Sequence, residues 1–119
     1  MTDQGPAKSR LTTERDQVLE QIAELDREFA AIVTSASEGS AGGDDEHDPE
    51  GATLAFERQH AAALLRAAQE QVAAIDAALQ RLAAGRYGVC ERCGRPIGEA
   101  RLAARPAAPT CIQCAGSRR

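Results

Sequence analysis

Large aromatic side chains are almost missing from this 119-residue chain: it has no Trp, one Tyr and two Phe. Aromatic rings carry the greatest burial per residue, so without them a sizeable globular core is poor. Long apolar runs are missing too. No stretch approaches the roughly 20 residues needed to span a bilayer, and residues 1–10 are polar, unlike a secretory leader. A soluble, cytoplasmic protein without membrane contact is expected. No Ser/His/Asp grouping, phosphate loop or paired-carboxylate cleft is evident, so enzymatic activity is not expected. The formal net charge is −4, too acidic for broad gripping of a phosphate backbone. What the chain has in quantity is alanine, the strongest helix former.

The apolar residues that remain are spaced for helices. Val18, Ile22, Leu25, Phe29, Ile32 and Ala36 recur at intervals of 4-3-4-3-4, a seam of the coiled-coil kind. Leu11 and Arg15 extend it backward, with Thr12 or Thr13 as a cap. The pattern stops at Ser37, and a Gly- and acid-rich segment follows. Asp48 suits an N-cap, Pro49 the first helical position, and Glu50 the positive end of a helix dipole. A second seam then runs through Leu54, Arg58, Ala61, Leu65, Ala68, Val72, Ile75, Leu79 and Leu82, and Gly85 suits the helix end. Two seams of matching period predict a mainly α chain. The expected parts are a disordered tail at 1–9, an antiparallel coiled-coil hairpin at 10–85 with an acidic tip loop at 38–50, and a metal module at 86–119. A monomer is expected, with a dimer through the same stripe as the alternative.

The module rests on four cysteines, Cys90, Cys93, Cys111 and Cys114, in a C-x2-C-x17-C-x2-C pattern. Each C-x2-C places two thiolates on one tight turn, and two such turns complete a tetrahedron around one Zn²⁺. Four thiolates leave no coordination position open, so the zinc is structural. Tyr87, Val89, Ile97, Leu102 and Ile112 are expected to wrap it. Charge is segregated along the chain. Glu38, Asp44, Asp45, Glu46, Asp48, Glu50 and Glu57 fall in a stretch with no Lys or Arg before Arg58, whereas eight Arg and two Glu lie between Arg81 and Arg119. His47 reads as a solvated loop residue, and His60, off the seam, as exposed.

Three blocks, Gly85-Arg-Tyr-Gly-x-Cys-x-x-Cys-Gly-x-Pro-Ile-Gly98, Arg101-Leu-x-Ala-Arg-Pro106 and Cys111-Ile-x-Cys114, resemble the zinc signature of the DksA/TraR family of bacterial transcription regulators. The short chain resembles a TraR-like member. The resemblance implies a partner, RNA polymerase, whose secondary channel receives the acidic coiled-coil tip, modulating initiation without sequence-specific DNA binding. It implies a tip of two acids three residues apart and an alanine two residues after the second. An ungapped count from Cys90 puts these at His47, Glu50 and Ala52. Asp48 is adjacent to the unmatched first position, and Asp45 with Asp48 gives the acid spacing in another register. The tip candidates are therefore Asp45, Asp48, Glu50 and Ala52. The family's basic contacts to the alarmone ppGpp fall on Ala67, Ala74 and Ala115, which cannot pair with pyrophosphate, so that contact is expected to be weak or absent. The competing readings are a zinc-ribbon nucleic-acid module, favoured by the Arg-rich end, and a coiled-coil adaptor.

Overall fold

The computed structural model describes residues 5–40 and 49–116, with backbone alone at 35–40 and 49–50. Four helices follow in order: α1 (Gly5–Ser40), α2 (Pro49–Ala83), α3 (Glu99–Ala104) and α4 (Ile112–Ala115). The chain forms two compact units, one of Met1–Gln17 with Gln71–Arg119, the other of Val18–Glu70.

The Val18–Glu70 unit pairs a stretch of α1 with a stretch of α2 through the predicted seam. Val18, Leu25, Ala61 and Ala68 are buried, and Ile22, Phe29, Ile32, Leu54 and Leu65 are half-buried. Arg58 is exposed, as its charge requires, and so is His60. Phe56, off the seam, is 73% exposed.

In the other unit the first turns of α1 meet the last turns of α2. Leu11, Ile75 and Ala78 are fully buried and Leu82 nearly so. Arg15, a seam position, donates from Nε to Asp76 Oδ1 at 2.6 Å, with both side chains over a third exposed. The fold class is thus the expected one: two long helices paired through apolar seams, followed by a four-cysteine module.

Two boundaries differ from expectation. Residues 5–9, expected in a disordered tail, are helical. Ala7 is half-buried four residues before Leu11, so the apolar stripe begins earlier than its large residues suggest. Pro6 is tolerated because the first helical turn has no internal partner for its missing N–H. Thr12 and Thr13 therefore lie inside α1 rather than capping it. At its other end α1 runs through Gly39 to Ser40, four residues beyond Ala36, the last residue of the apolar pattern. A terminal turn is closed by backbone hydrogen bonds and needs no seam residue.

The end of α2 is closed by Gly85. With φ of 77°, it occupies the left-handed region that favours glycine. Its N–H donates to the Leu82 carbonyl at 3.1 Å, and Arg86 N–H donates to the Arg81 carbonyl at 2.8 Å. This pair of bonds is the Schellman closure. It turns the chain out of α2 directly into the cysteine module.

Candidate metal centre

The first cysteine pair sits on a tight turn that backbone bonds define. Val89 and Pro96 form an antiparallel bridge, and Cys90 N–H donates to the Arg95 carbonyl at 2.8 Å. Gly94 N–H returns to the Cys90 carbonyl at 2.9 Å, and Gly94 adopts φ of 77° to do so. The second pair uses a helix start instead. Cys111 occupies the N-cap of α4 in an extended conformation, and Cys114 lies within that helix. The two halves meet where Glu91 N–H donates to the Pro109 carbonyl at 2.9 Å.

These elements bring the four Sγ atoms within 4.8 Å of one another, with Cys93 and Cys111 Sγ 3.8 Å apart. A Zn–S bond of about 2.3 Å in a tetrahedron places sulfurs about 3.8 Å apart, so the donor set fits one zinc ion by element, number and spacing. Cys90, Cys93, Cys111 and Cys114 are positioned to hold it. The ion would supply cross-linking of the two turns; a closed four-thiolate shell leaves no position for substrate.

The thiols interact strongly. Burial alone would push Cys90 up, but amide donors from Cys111, Cys93 and Arg92 outweigh it and bring Cys90 down to about 6. The Cys114 amide lowers Cys111 despite its burial. Cys114, held by its hydrogen bond to the Cys111 sulfur, is pushed up to about 12. In the metal-free protein at neutral pH Cys90 is therefore a thiolate and Cys114 a thiol. Ligands must be deprotonated to bind, so zinc added at pH 7 should displace the Cys114 proton. Below pH about 6 Cys90 is also protonated, and one more proton must leave. The expected result is proton release on zinc addition, with the fall of log affinity on acidification steepening below that pH. Competition with a chelator across a pH series checks it.

Around the ligands the cluster is small. Ile97 is buried with Cys90 and Cys111, and Leu102 and Cys114 pack against them. Tyr87 is half-buried, its hydroxyl donating to the Pro106 carbonyl at 2.8 Å. Val89 and Ile112 depart from expectation at 42% and 69% exposure. Val89 is on an isolated two-residue bridge, and Ile112 opens a four-residue helix, too short to turn a full face inward.

Arginines do much of the joining that apolar residues were expected to do. Arg10 Nη2 donates to the Ala103 carbonyl at 2.8 Å, tying α1 to α3. Arg101 Nε donates to the Thr110 carbonyl at 2.8 Å. Arg81, in the last turn of α2, is only 6% exposed. Its available signal was position: an arginine between seam residues Leu79 and Leu82, next to buried Ala78.

Of the tip candidates, Asp45 and Asp48 lie outside the described residues, as does the side chain of Glu50. Ala52 is exposed in the first turn of α2. Ala67, Ala74 and Ala115 are all exposed. No helix of the described residues is long and apolar enough to cross a membrane.

Comparison with known proteins agrees with the geometry. Residues 85–119 match the family described as prokaryotic dksA/traR C4-type zinc finger. Over 42 residues, 35% of this chain, the sequence is 50% identical to RNA polymerase-binding transcription factor DksA of Caulobacter vibrioides. Over 40 residues it is 48% identical to the factor of the same name from Haemophilus influenzae. An uncharacterized protein of Aquifex aeolicus is 51% identical over 41 residues. These matches span 28–30% of the relatives' own lengths. The structure of transcription factor DksA2 from Pseudomonas aeruginosa is similar with a TM-score of 0.52 and 29% identity, covering 97% of this chain and 88% of that one.

Proposed function

We propose that this chain, whose residues 85–119 form a DksA/TraR-type C4 zinc finger and whose fold is similar to that of DksA2, is an RNA polymerase-binding transcription regulator and not an enzyme. The observation that carries this reading is the likeness to DksA2 over 97% of the chain, helices and finger together. A zinc ribbon borrowed by an unrelated protein would share the finger alone. The zinc is structural, and the work falls to the acidic segment between α1 and α2. In this reading Asp45, Asp48, Glu50 and Ala52 face the polymerase active site through its secondary channel. The acidic tip there alters open-complex stability and initiation, with no base readout of DNA. The exposed Ala67, Ala74 and Ala115 offer no cation to a pyrophosphate, which supports a weak or absent ppGpp contact.

The test is pull-down of core polymerase together with transcription in vitro. The wild-type chain should bind and alter initiation at a subset of promoters. Asp48→Ala and Glu50→Ala should keep binding within a few-fold and reduce the transcriptional effect, and added ppGpp should give no synergy through this chain. Absence of polymerase binding by the zinc-loaded protein sinks the reading. A DNA shift that weakens steeply with salt, without polymerase binding, would favour the nucleic-acid module suggested by the Arg-rich end.

A further inference from the structure

Arg81 is the buried charged side chain of the described residues, and its contacts converge on the metal centre. Nη1 donates to Glu91 Oε2 at 3.3 Å, and Glu91 stands between ligands Cys90 and Cys93. Nη2 reaches the carbonyls of Ala107 and Ala108, each at 3.5 Å, in the loop that leads to Cys111. The Glu91–Pro109 backbone bond joins these two segments directly. The Arg81 carbonyl, meanwhile, accepts the bond that closes α2. One residue thus touches the first cysteine turn, the approach to the second, and the end of the long helix.

We infer that Arg81 is a positioning residue for the zinc site, tying both cysteine turns to the last turn of α2 so that zinc affinity and the seating of that turn rise and fall together. The chemistry favours arginine. A planar guanidinium presents several donors in a fixed fork and reaches three acceptors at once, whereas an ammonium is a compact point charge. Charge favours it too. Zinc held by four thiolates carries two net negative charges, and Arg81 lines one cavity with Cys90, Val89, Glu91 and Arg86. Partners that orient metal ligands from behind typically change metal affinity tenfold to a hundredfold when removed. Coupling of this kind is reciprocal, so the metal must also steady the helix end.

The experiment uses the whole chain. Zinc affinity is measured at neutral pH by competition with a chromophoric chelator for wild type, Arg81→Met, Arg81→Lys and Leu25→Ala. Leu25 is buried in the Val18–Glu70 unit, outside the last turn of α2, so its truncation weakens helix packing without touching the tie. Arg81→Met is expected to lower zinc affinity by about tenfold to a hundredfold, and Arg81→Lys to recover part of that loss. Leu25→Ala should lower thermal stability yet leave zinc affinity within about twofold. Hydrogen exchange supplies the reciprocal readout: removing zinc from wild type should speed exchange at the Gly85 and Arg86 amides, and this zinc dependence should shrink in Arg81→Lys. Unchanged affinity in both Arg81 variants overturns the assignment. So does an equal loss in Leu25→Ala and Arg81→Lys at matched stability, because the effect would then be general destabilisation. If Arg81→Met does not accumulate in folded form, Arg81→Lys decides between these outcomes.

Discussion

Cys93→Ser should release the zinc ion and unfold residues 86–116 while the paired stretches of α1 and α2 remain helical. The reason lies in what the module buries. Its apolar cluster consists of Cys90, Ile97 and Cys111 with Leu102 and Cys114 against them, so three of the five members are themselves ligands. Two aliphatic side chains at about 1.5–3 kcal/mol each when fully buried cannot offset an entropy cost of about 1–2 kcal/mol per ordered residue. Structural zinc contributes apparent values of about 10–16 kcal/mol in sites of this kind. Serine keeps the size of cysteine but offers no soft thiolate. Cys93 is also exposed, so its replacement opens no cavity, and any loss reports on the metal. Zinc quantification on the purified variant, with amide exchange over residues 86–116, checks the expectation. One zinc retained per chain, with exchange protection intact, would contradict it.

The second large effect belongs to the helix pair. Ile75 is fully buried where the last turns of α2 meet the first turns of α1. Ile75→Ala in the zinc-loaded chain should destabilise by about 2–5 kcal/mol, from lost transfer energy and the cavity left behind. At about 4 °C per kcal/mol for a domain near this size, the midpoint should fall by at least roughly 8 °C. Leu64→Ala is the matched control. Leu64 is 40% exposed on the same helix, and its truncation should stay within about 1 kcal/mol. A thermal scan monitored by helical circular dichroism separates the two. Equal shifts would mean that the seam is not where α2 buries its apolar surface.

The positions that could be read in advance were those whose role depends on local periodicity or fixed spacing. The 4-3 pattern located Val18, Leu25, Ala61, Ala68, Ile75 and Leu82, all buried, because a helix maps sequence interval onto face. The paired C-x2-C spacing located the ligands, because two tight turns need only local backbone geometry to aim their thiolates. Arg58 showed the rule working in the other direction, sitting on the seam in sequence and in solvent in the structure.

What local pattern does not carry is contact between distant segments. Nothing in the interval between Arg81 and Ala108 announces that one donates to the other, or that Arg10 reaches Ala103 across 93 residues. Arginine on the finger reads as surface charge until the backbone carbonyls it serves are known. Val89 and Ile112 illustrate the converse, apolar residues left exposed on a two-residue bridge and a four-residue helix. The early start of α1 was hidden for a different reason: alanine and lysine form helix readily but give little apolar contrast. The tip candidates Asp45 and Asp48 sit in a segment whose composition defines charge and not register.

The alanines of the helix seam have one further consequence. Ala61 and Ala68 are buried at seam positions that a coiled coil fills with larger aliphatic residues. An alanine has no rotamers to exchange, so a contact made through it has no alternative packing into which the partner can relax. Helices joined this way trade cohesive strength for stiffness. Within the Val18–Glu70 unit, a sideways shift of one helix on the other is therefore resisted at Ala61 and Ala68 instead of being absorbed by rearrangement.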